Sequence, residues 1–162
     1  MKIAVYPGSF DPVTLGHLDI IRRASQIFDK LYVCVMVNST KSPMFSREER
    51  MELIRKITVD MPNVEVETSD QLLVRYAKEK GAVTIVKGLR AVSDFDAEFQ
   101  MALANRMIEQ TVDTVFLASS EKYTYLSSTI VKEMAKYHAD LSDFVPEEII
   151  EDIMNKIDIG GK

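Results

Sequence analysis

The chain of 162 residues carries one cysteine and two histidines. A single cysteine excludes an internal disulfide, and one Cys with two His cannot assemble a zinc site on their own. Long hydrophobic runs are missing too. The longest is the seven residues from Leu31 to Val37, whereas a membrane helix needs about 20. After Met1, one lysine and four apolar or aromatic residues precede Pro7-Gly8, too few for a secretory leader. Glycine is scarce, occurring only at 8, 16, 81, 88, 160 and 161. Neither Gly-x-Gly-x-x-Gly nor Gly-x-x-x-x-Gly-Lys-Ser/Thr can be built from those positions, so the dinucleotide fingerprint and the P-loop are both absent. Positive charge is in deficit, with a formal net charge of −5 and no basic run. That argues against a surface for long nucleic acid, which needs many neutralised phosphates. A small anion met by locally placed Lys and Arg is the ligand class left open. The expectation is a cytoplasmic, enzyme-sized domain with neither a membrane nor a nucleic-acid partner.

What is present is an ordinary globular composition, 46% hydrophobic and 28% charged. The length suits one domain able to bury about 70% of its unfolded surface. Apolar, β-rich runs at 3–6, 31–37, 64–67, 83–86 and 114–118 read as strands. Helix-period segments lie between them at 17–29, 47–60, 71–80 and 94–109, and two more follow near 128–138 and 147–157. Most strand runs lack polar alternation, as buried parallel strands do. The alternation predicts a single α/β domain over 1–162, Rossmann-like, with a five-stranded parallel sheet and helices on both faces. Residues from about 158 to 162 are expected to fray. Ser46-Arg47-Glu48-Glu49 has capping-box spacing. Ser69 or Asp70, Ser93 or Asp94, and Ser127 or Ser128 are candidate caps, and Pro146 suits a first helical turn.

Ligands of open parallel sheets bind beyond the carboxyl ends of the strands. The segments predicted there are Pro7-Gly8-Ser9-Phe10-Asp11-Pro12 with Thr14-Leu15-Gly16-His17, Asn38-Ser39-Thr40-Lys41, Lys87-Gly88-Leu89-Arg90, and Ser119 through Thr129. Small, hydroxyl and cationic residues thus converge on one edge, which suits phosphate. Gly8 would permit a turn that presents backbone N–H groups, and Ser9 adds a hydroxyl. Gly16 leaves room for a ligand, and His17 stands at a helix start. Lys41 and Lys87 are point charges, whereas Arg90 is a planar fork. Ser127, Ser128 and Thr129 offer hydroxyls and helix-start amides. Cys34 reads as core packing, His138 as a helix-end cation, the methionines as core or interface fillers, and Glu147, Glu148, Glu151 and Asp152 as a solvated face.

Thr14-Leu15-Gly16-His17 resembles the Thr/His-x-Gly-His signature of the nucleotidyltransferase superfamily, and Leu126 to Lys132 resembles its second signature, Ile-Ser-Ser-Thr-x-x-Arg. Tyr6 to Pro12, Pro43 to Arg50 and Gly88 to Glu98 make the chain similar to the phosphopantetheine adenylyltransferases, enzymes of coenzyme A synthesis, from Lys2 to about Lys156. The resemblance implies adenylyl transfer from ATP to 4′-phosphopantetheine, assisted by magnesium carried mainly on ATP, with no protein metal site. It implies catalytic roles for His17, Lys41 and Arg90. ATP contacts are implied for Ser9, Phe10, His17, Gly88, Leu89, Arg90, Glu98, Tyr123, Thr124, Tyr125, Leu126, Ser127, Ser128 and Thr129. Ser9, Lys41, Leu73 and Lys87 are implied to meet the acceptor. A homohexamer and feedback by coenzyme A come with the same resemblance. Lys87 stands where the family commonly has Arg, so one charge is kept and the bidentate grip is not. The rival readings are a superfamily member using nicotinate mononucleotide or glycerol phosphate, a nucleotide-sensing module without turnover, and a nucleic-acid-binding domain.

Overall fold

A computed structural model of the chain describes residues 1–37 and 42–160. The five apolar runs form strands β1 (Ile3–Gly8), β2 (Lys30–Met36), β3 (Val64–Ser69), β4 (Thr84–Leu89) and β5 (Asp113–Ala118). They make one all-parallel sheet in the order β3-β2-β1-β4-β5. The chain builds outward from β1 through β2 to β3, then crosses back to lay β4 on the other side of β1. That reversal is a topological switch point, where open α/β sheets hold ligands.

Register sharpens the point. β1 pairs with β2 over six residues, from Ile3 opposite Lys30 to Gly8 opposite Val35. With β4 it pairs only at Ala4–Thr84 and Val5–Ile85. Beyond Val5 the two central strands part, and a crevice opens between their carboxyl ends.

One sheet face is covered by α1 (Leu15–Ile27), α2 (Arg47–Ile57), α5 (Ser128–Lys136) and α6 (Ile150–Gly160). Its core joins Ala4, Leu31, Val33 and Val86 of the sheet to Ile21, Ile54, Val131 and Ile153 of the helices. The other face carries α3 (Leu73–Glu79) and α4 (Val92–Ile108), with a smaller core around Val5, Cys34, Ile85, Val74 and Ala77. Cys34 is buried, as expected of a packing residue. Helices do lie on both faces, yet α4 buries only Asn105 and leaves Phe95, Phe99, Met101, Leu103 and Met107 exposed. Among the described residues no helix is long and apolar enough to cross a membrane.

The helix ends follow the sequence in part. Ser46 and Glu49 make the predicted capping box on α2, and Ser127 caps α5 by accepting from the Ile130 N–H. α1 starts two residues before the predicted 17, because Thr14 caps it and His17 closes the box. α3 and α4 have no side-chain cap. Ser69 accepts from the Gln71 N–H instead, and Asp94 accepts from the Arg90 N–H. Pro146 precedes a 3₁₀ turn at Glu147–Ile149, just ahead of α6 rather than inside its first turn. Residues 158–160, expected to fray, are helical. Ile157 packs on the main core beside them, and Asp158 lies 4.0 Å from His138 Nε2.

Candidate active site

The crevice at the switch point has a volume of about 540 Å³. Its walls come from the loop after β1, the start of α1, the end of β4 with the start of α4, and the start of α5. Of the residues singled out in the sequence, Ser9, Phe10, His17, Gly88, Arg90, Glu98, Tyr123, Leu126, Ser127, Ser128 and Thr129 line it. Leu89, Thr124 and Tyr125 do not. Tyr125 points its hydroxyl to the Asp143 carbonyl, and Thr124 donates to the Glu121 carbonyl. Lys87 stands behind Glu98, its ammonium 3.1 Å from that carboxylate. Leu73, half-buried, opens α3 away from the lining. Lys41 lies outside the described residues. A second hollow of about 630 Å³ lies between the ends of α5 and α6, lined by Met44, Lys136, His138 and Lys156 among others, and holds none of the candidate residues.

Two helices start on this crevice, and both leave their N-terminal partial charge uncompensated. Neither α1 nor α5 has an acidic residue in its first turn, whereas α2 has Glu48 and Glu49 and α6 has Glu151 and Asp152. A helix start with no competing carboxylate suits a ligand phosphate. Arg90 adds a full charge at the mouth. It donates through Nη1 to the Leu126 carbonyl at 2.6 Å and pairs through Nε with Asp94 at 3.3 Å. The guanidinium thereby ties the end of β4 to the segment that leads into α5.

His17 is held by its own helix cap. The Thr14 backbone N–H donates to His17 Nδ1 at 3.0 Å, and the Thr14 hydroxyl lies 3.2 Å from the same nitrogen. A backbone amide can only donate, so Nδ1 must be the unprotonated nitrogen and Nε2 carries the hydrogen. Burial, with the Arg90 charge adding to it, lowers the His17 pKa to about 4. The imidazole is therefore neutral at pH 7 and offers an oriented N–H donor from Nε2.

The loop after β1 differs from its sequence reading. The turn assigned to Gly8 falls at Phe10, which adopts φ 48° and is 1% exposed, while Gly8 has no positive φ. A left-handed aromatic residue persists only where its surroundings hold it, at about 1–3 kcal/mol. What Gly8 supplies is space: a Cβ there would come within 2.9 Å of Phe10 Cζ. The Phe10 ring packs edge-on against Tyr6 at 5.4 Å and against His17 at 5.0 Å. Burial keeps the Tyr6 phenol protonated, since it raises that pKa well above its ordinary value.

Three residues that sequence reasoning did not assign brace this loop. Arg50, 5% exposed, donates through Nη1 to the Ser9 carbonyl at 2.9 Å. Its signal was a cation in the first turn of α2, on the wrong side of the helix dipole. Asp11, also 5% exposed, accepts from the Met44 and Phe45 backbone N–H groups at 2.9 and 2.8 Å. Lys132 of α5 donates to Asp11 at 2.8 Å. Ser128 donates its hydroxyl to the Pro12 carbonyl at 2.8 Å, so that group serves the loop and the α5 amides face the crevice.

The carboxylates near the crevice are engaged: Asp94 with Arg90, Glu98 with Lys87, and Asp11 with three donors. Among the described residues no group of three His, Cys, Asp or Glu could hold a metal ion. The arrangement can bind phosphates, orient them and stabilise charge that builds on them.

The chain matches the family model described as cytidylyltransferase-like over residues 5–134. It is 55% identical over 156 residues to the phosphopantetheine adenylyltransferase of Caldanaerobacter subterraneus subsp. tengcongensis, covering 96% of this chain and 98% of that protein. Against the protein of the same name from Alkaliphilus metalliredigens the identity is 53%, over 96% of this chain and 99% of the relative. Among solved structures, the nicotinic acid mononucleotide adenylyltransferase of Plasmodium falciparum, complexed with NaAD, superposes with a TM-score of 0.67 at 15% identity, covering 99% of this chain and 96% of that one. A Vibrio parahaemolyticus structure, provisionally a nicotinate-nucleotide adenylyltransferase, gives a TM-score of 0.68 at 19% identity, with 96% of each chain covered. At such identities the likeness shows a shared fold.

Proposed function

The chain belongs to the phosphopantetheine adenylyltransferases, within the cytidylyltransferase-like family, and from that premise we propose that it joins the adenylyl group of ATP to 4′-phosphopantetheine. An oxygen of the acceptor phosphate attacks the α-phosphorus in line. The bond from that phosphorus to the oxygen bridging it to the β-phosphorus breaks, and pyrophosphate leaves with the bonding electrons. The products are dephospho-coenzyme A and pyrophosphate, and the reaction is reversible. A phosphate oxygen needs no general base at neutral pH, so positioning and charge stabilisation carry the catalysis. No covalent enzyme intermediate is required.

The observation that carries this reading is the meeting of a neutral His17 donor, Arg90 and two helix starts free of acid at one crevice. His17 Nε2–H donates to the α-phosphate as charge builds there. Ser9, the Phe10 backbone, Gly88, Arg90, Glu98, Tyr123 and the segment Leu126 to Thr129 hold ATP in that crevice. Lys41 bridges the acceptor phosphate and the α-phosphate, Lys87 binds the acceptor phosphate, and the backbone near Leu73 meets the pantetheine arm. The nucleotide enters as its magnesium complex, the metal held by phosphate oxygens and water.

A homohexamer acting in the cytoplasm, with coenzyme A as feedback ligand, completes the proposal. The exposed apolar side of α4 supports self-association, since Phe95, Phe99 and Leu103 follow one another at four-residue spacing along one stripe of the helix, and monomers rarely expose a large apolar patch. The functional test is pyrophosphate release from Mg-ATP with 4′-phosphopantetheine, pantetheine or nicotinate mononucleotide. Release with the first alone is expected. Release with nicotinate mononucleotide would overturn the acceptor, and no release from a protein that binds ATP would favour the sensing module.

A further inference from the structure

Asp11 and Lys132 are both drawn from the signature segments, yet neither lines the crevice. Lys132 instead reaches Asp11 with its ammonium, 2.8 Å from Oδ2, from a position 121 residues along the chain. The same carboxylate takes the Met44 N–H on Oδ2 and the Phe45 N–H on Oδ1. Three donors occupy most of the roughly four lone-pair sites a carboxylate has. The geometry of Asp11 is therefore fixed from three directions.

Those directions are the segment leading into α2, helix α5 and the β1 loop itself. The neighbour of Asp11 is Phe10, whose left-handed backbone sets its ring edge-on to His17. We infer that Asp11 and Lys132 are a positioning pair for the adenylyl transfer: the cation of the second signature acts on the first-signature loop, through Asp11 and Phe10, to hold the His17 imidazole, rather than on the nucleotide. This rests on the functional reading above for its kinetic test and on geometry alone for its spectroscopic one.

The kinetic test compares Lys132→Met, Lys132→Arg, Asp11→Asn and the double variant Asp11→Asn/Lys132→Met, well below each unfolding midpoint. Lys132→Met keeps the stem of a side chain that is 31% exposed, so it is the variant expected to fold in every case. A loosened His17 should lower its kcat about a hundredfold while KM for ATP stays within about threefold. Lys132→Arg should recover most of the rate, because it restores the charge. Asp11→Asn should lose as much as Lys132→Met, and the double variant no more than the worse single, as expected of a unit. A raised KM for ATP at unchanged kcat would mean that Lys132 touches the nucleotide and overturns the pair. So would full activity of Lys132→Met, failure of Lys132→Arg to rescue, or losses that multiply.

A substrate-free readout separates this inference from the functional one. The chain has two histidines, His17 and His138, so its imidazole NMR spectrum carries its own reference. Lys132→Met should move the His17 ring signals and leave those of His138, and Lys132→Arg should return them. Unmoved His17 signals overturn the pair whether or not the protein turns over this acceptor. Inactivity of the wild type alone overturns only the acceptor and the reaction.

Discussion

A half-buried imidazole beside a guanidinium resists protonation, and here the environment selects the tautomer as well. Thr14 fixes the acceptor at Nδ1, and burial with Arg90 lowers the pKa to about 4. His17 therefore offers a neutral donor, and under the proposed role His17→Ala should lower kcat about a hundredfold or more with ATP affinity within a few fold. Equal loss in affinity and rate would contradict a role confined to the transition state. The same shift has a thermodynamic face. The unfolded chain takes up this proton near 6.5 and the folded chain only near 4, so stability falls as pH drops through that window. His17→Gln should remove that part of the acid sensitivity in urea unfolding at neutral and mildly acidic pH. An unchanged pH slope would count against the buried neutral ring. At Lys87, restoring the planar fork with Lys87→Arg should tighten acceptor binding without moving KM for ATP. No improvement in a titration of the acceptor would count against contact there.

At the scale of elements, Gly8 and Phe10 act together at the end of β1. The ring fills the space that a Cβ on residue 8 would need, so Gly8→Ala should push it off His17. Turnover should fall about a hundredfold, with about 1–3 kcal/mol lost from thermal or urea unfolding. Wild-type turnover in that variant would break the link from loop to imidazole. This coupling also marks where sequence reading stops. Unalternated runs such as Leu31–Val37 declared buried parallel strands, and Ser46 with Glu49 declared a helix start. Both rest on local chemistry. The start of α1 was misread by two residues because His17 is at once motif residue and capping partner. The roles of Asp11, Arg50 and Lys132 depend on contacts 33, 41 and 121 residues apart in sequence, which spacing alone cannot carry. The parting of β1 and β4 after Val5, which opens the crevice, is likewise a property of the assembled sheet.

At the scale of the molecule, one face of the sheet is thickly covered and the other is finished by α4 with its aromatic side exposed. Phe95 and Phe99 stack at 5.2 Å on that side, where hydrophobic area is exposed to water. Analytical ultracentrifugation should return a hexamer for the wild type, and Phe95→Glu/Phe99→Glu should dissociate it by placing charge in the contact. A monomeric wild type at micromolar concentration would contradict the proposed assembly. Isotope tracing follows the bond that the proposed reaction forms. The measurement is mass spectrometry of the products formed from Mg-ATP and 4′-phosphopantetheine labelled with heavy oxygen in its terminal phosphate. Attack by that phosphate on the α-phosphorus predicts dephospho-coenzyme A retaining all the label and pyrophosphate carrying none. Labelled pyrophosphate, or the absence of dephospho-coenzyme A, would contradict the account.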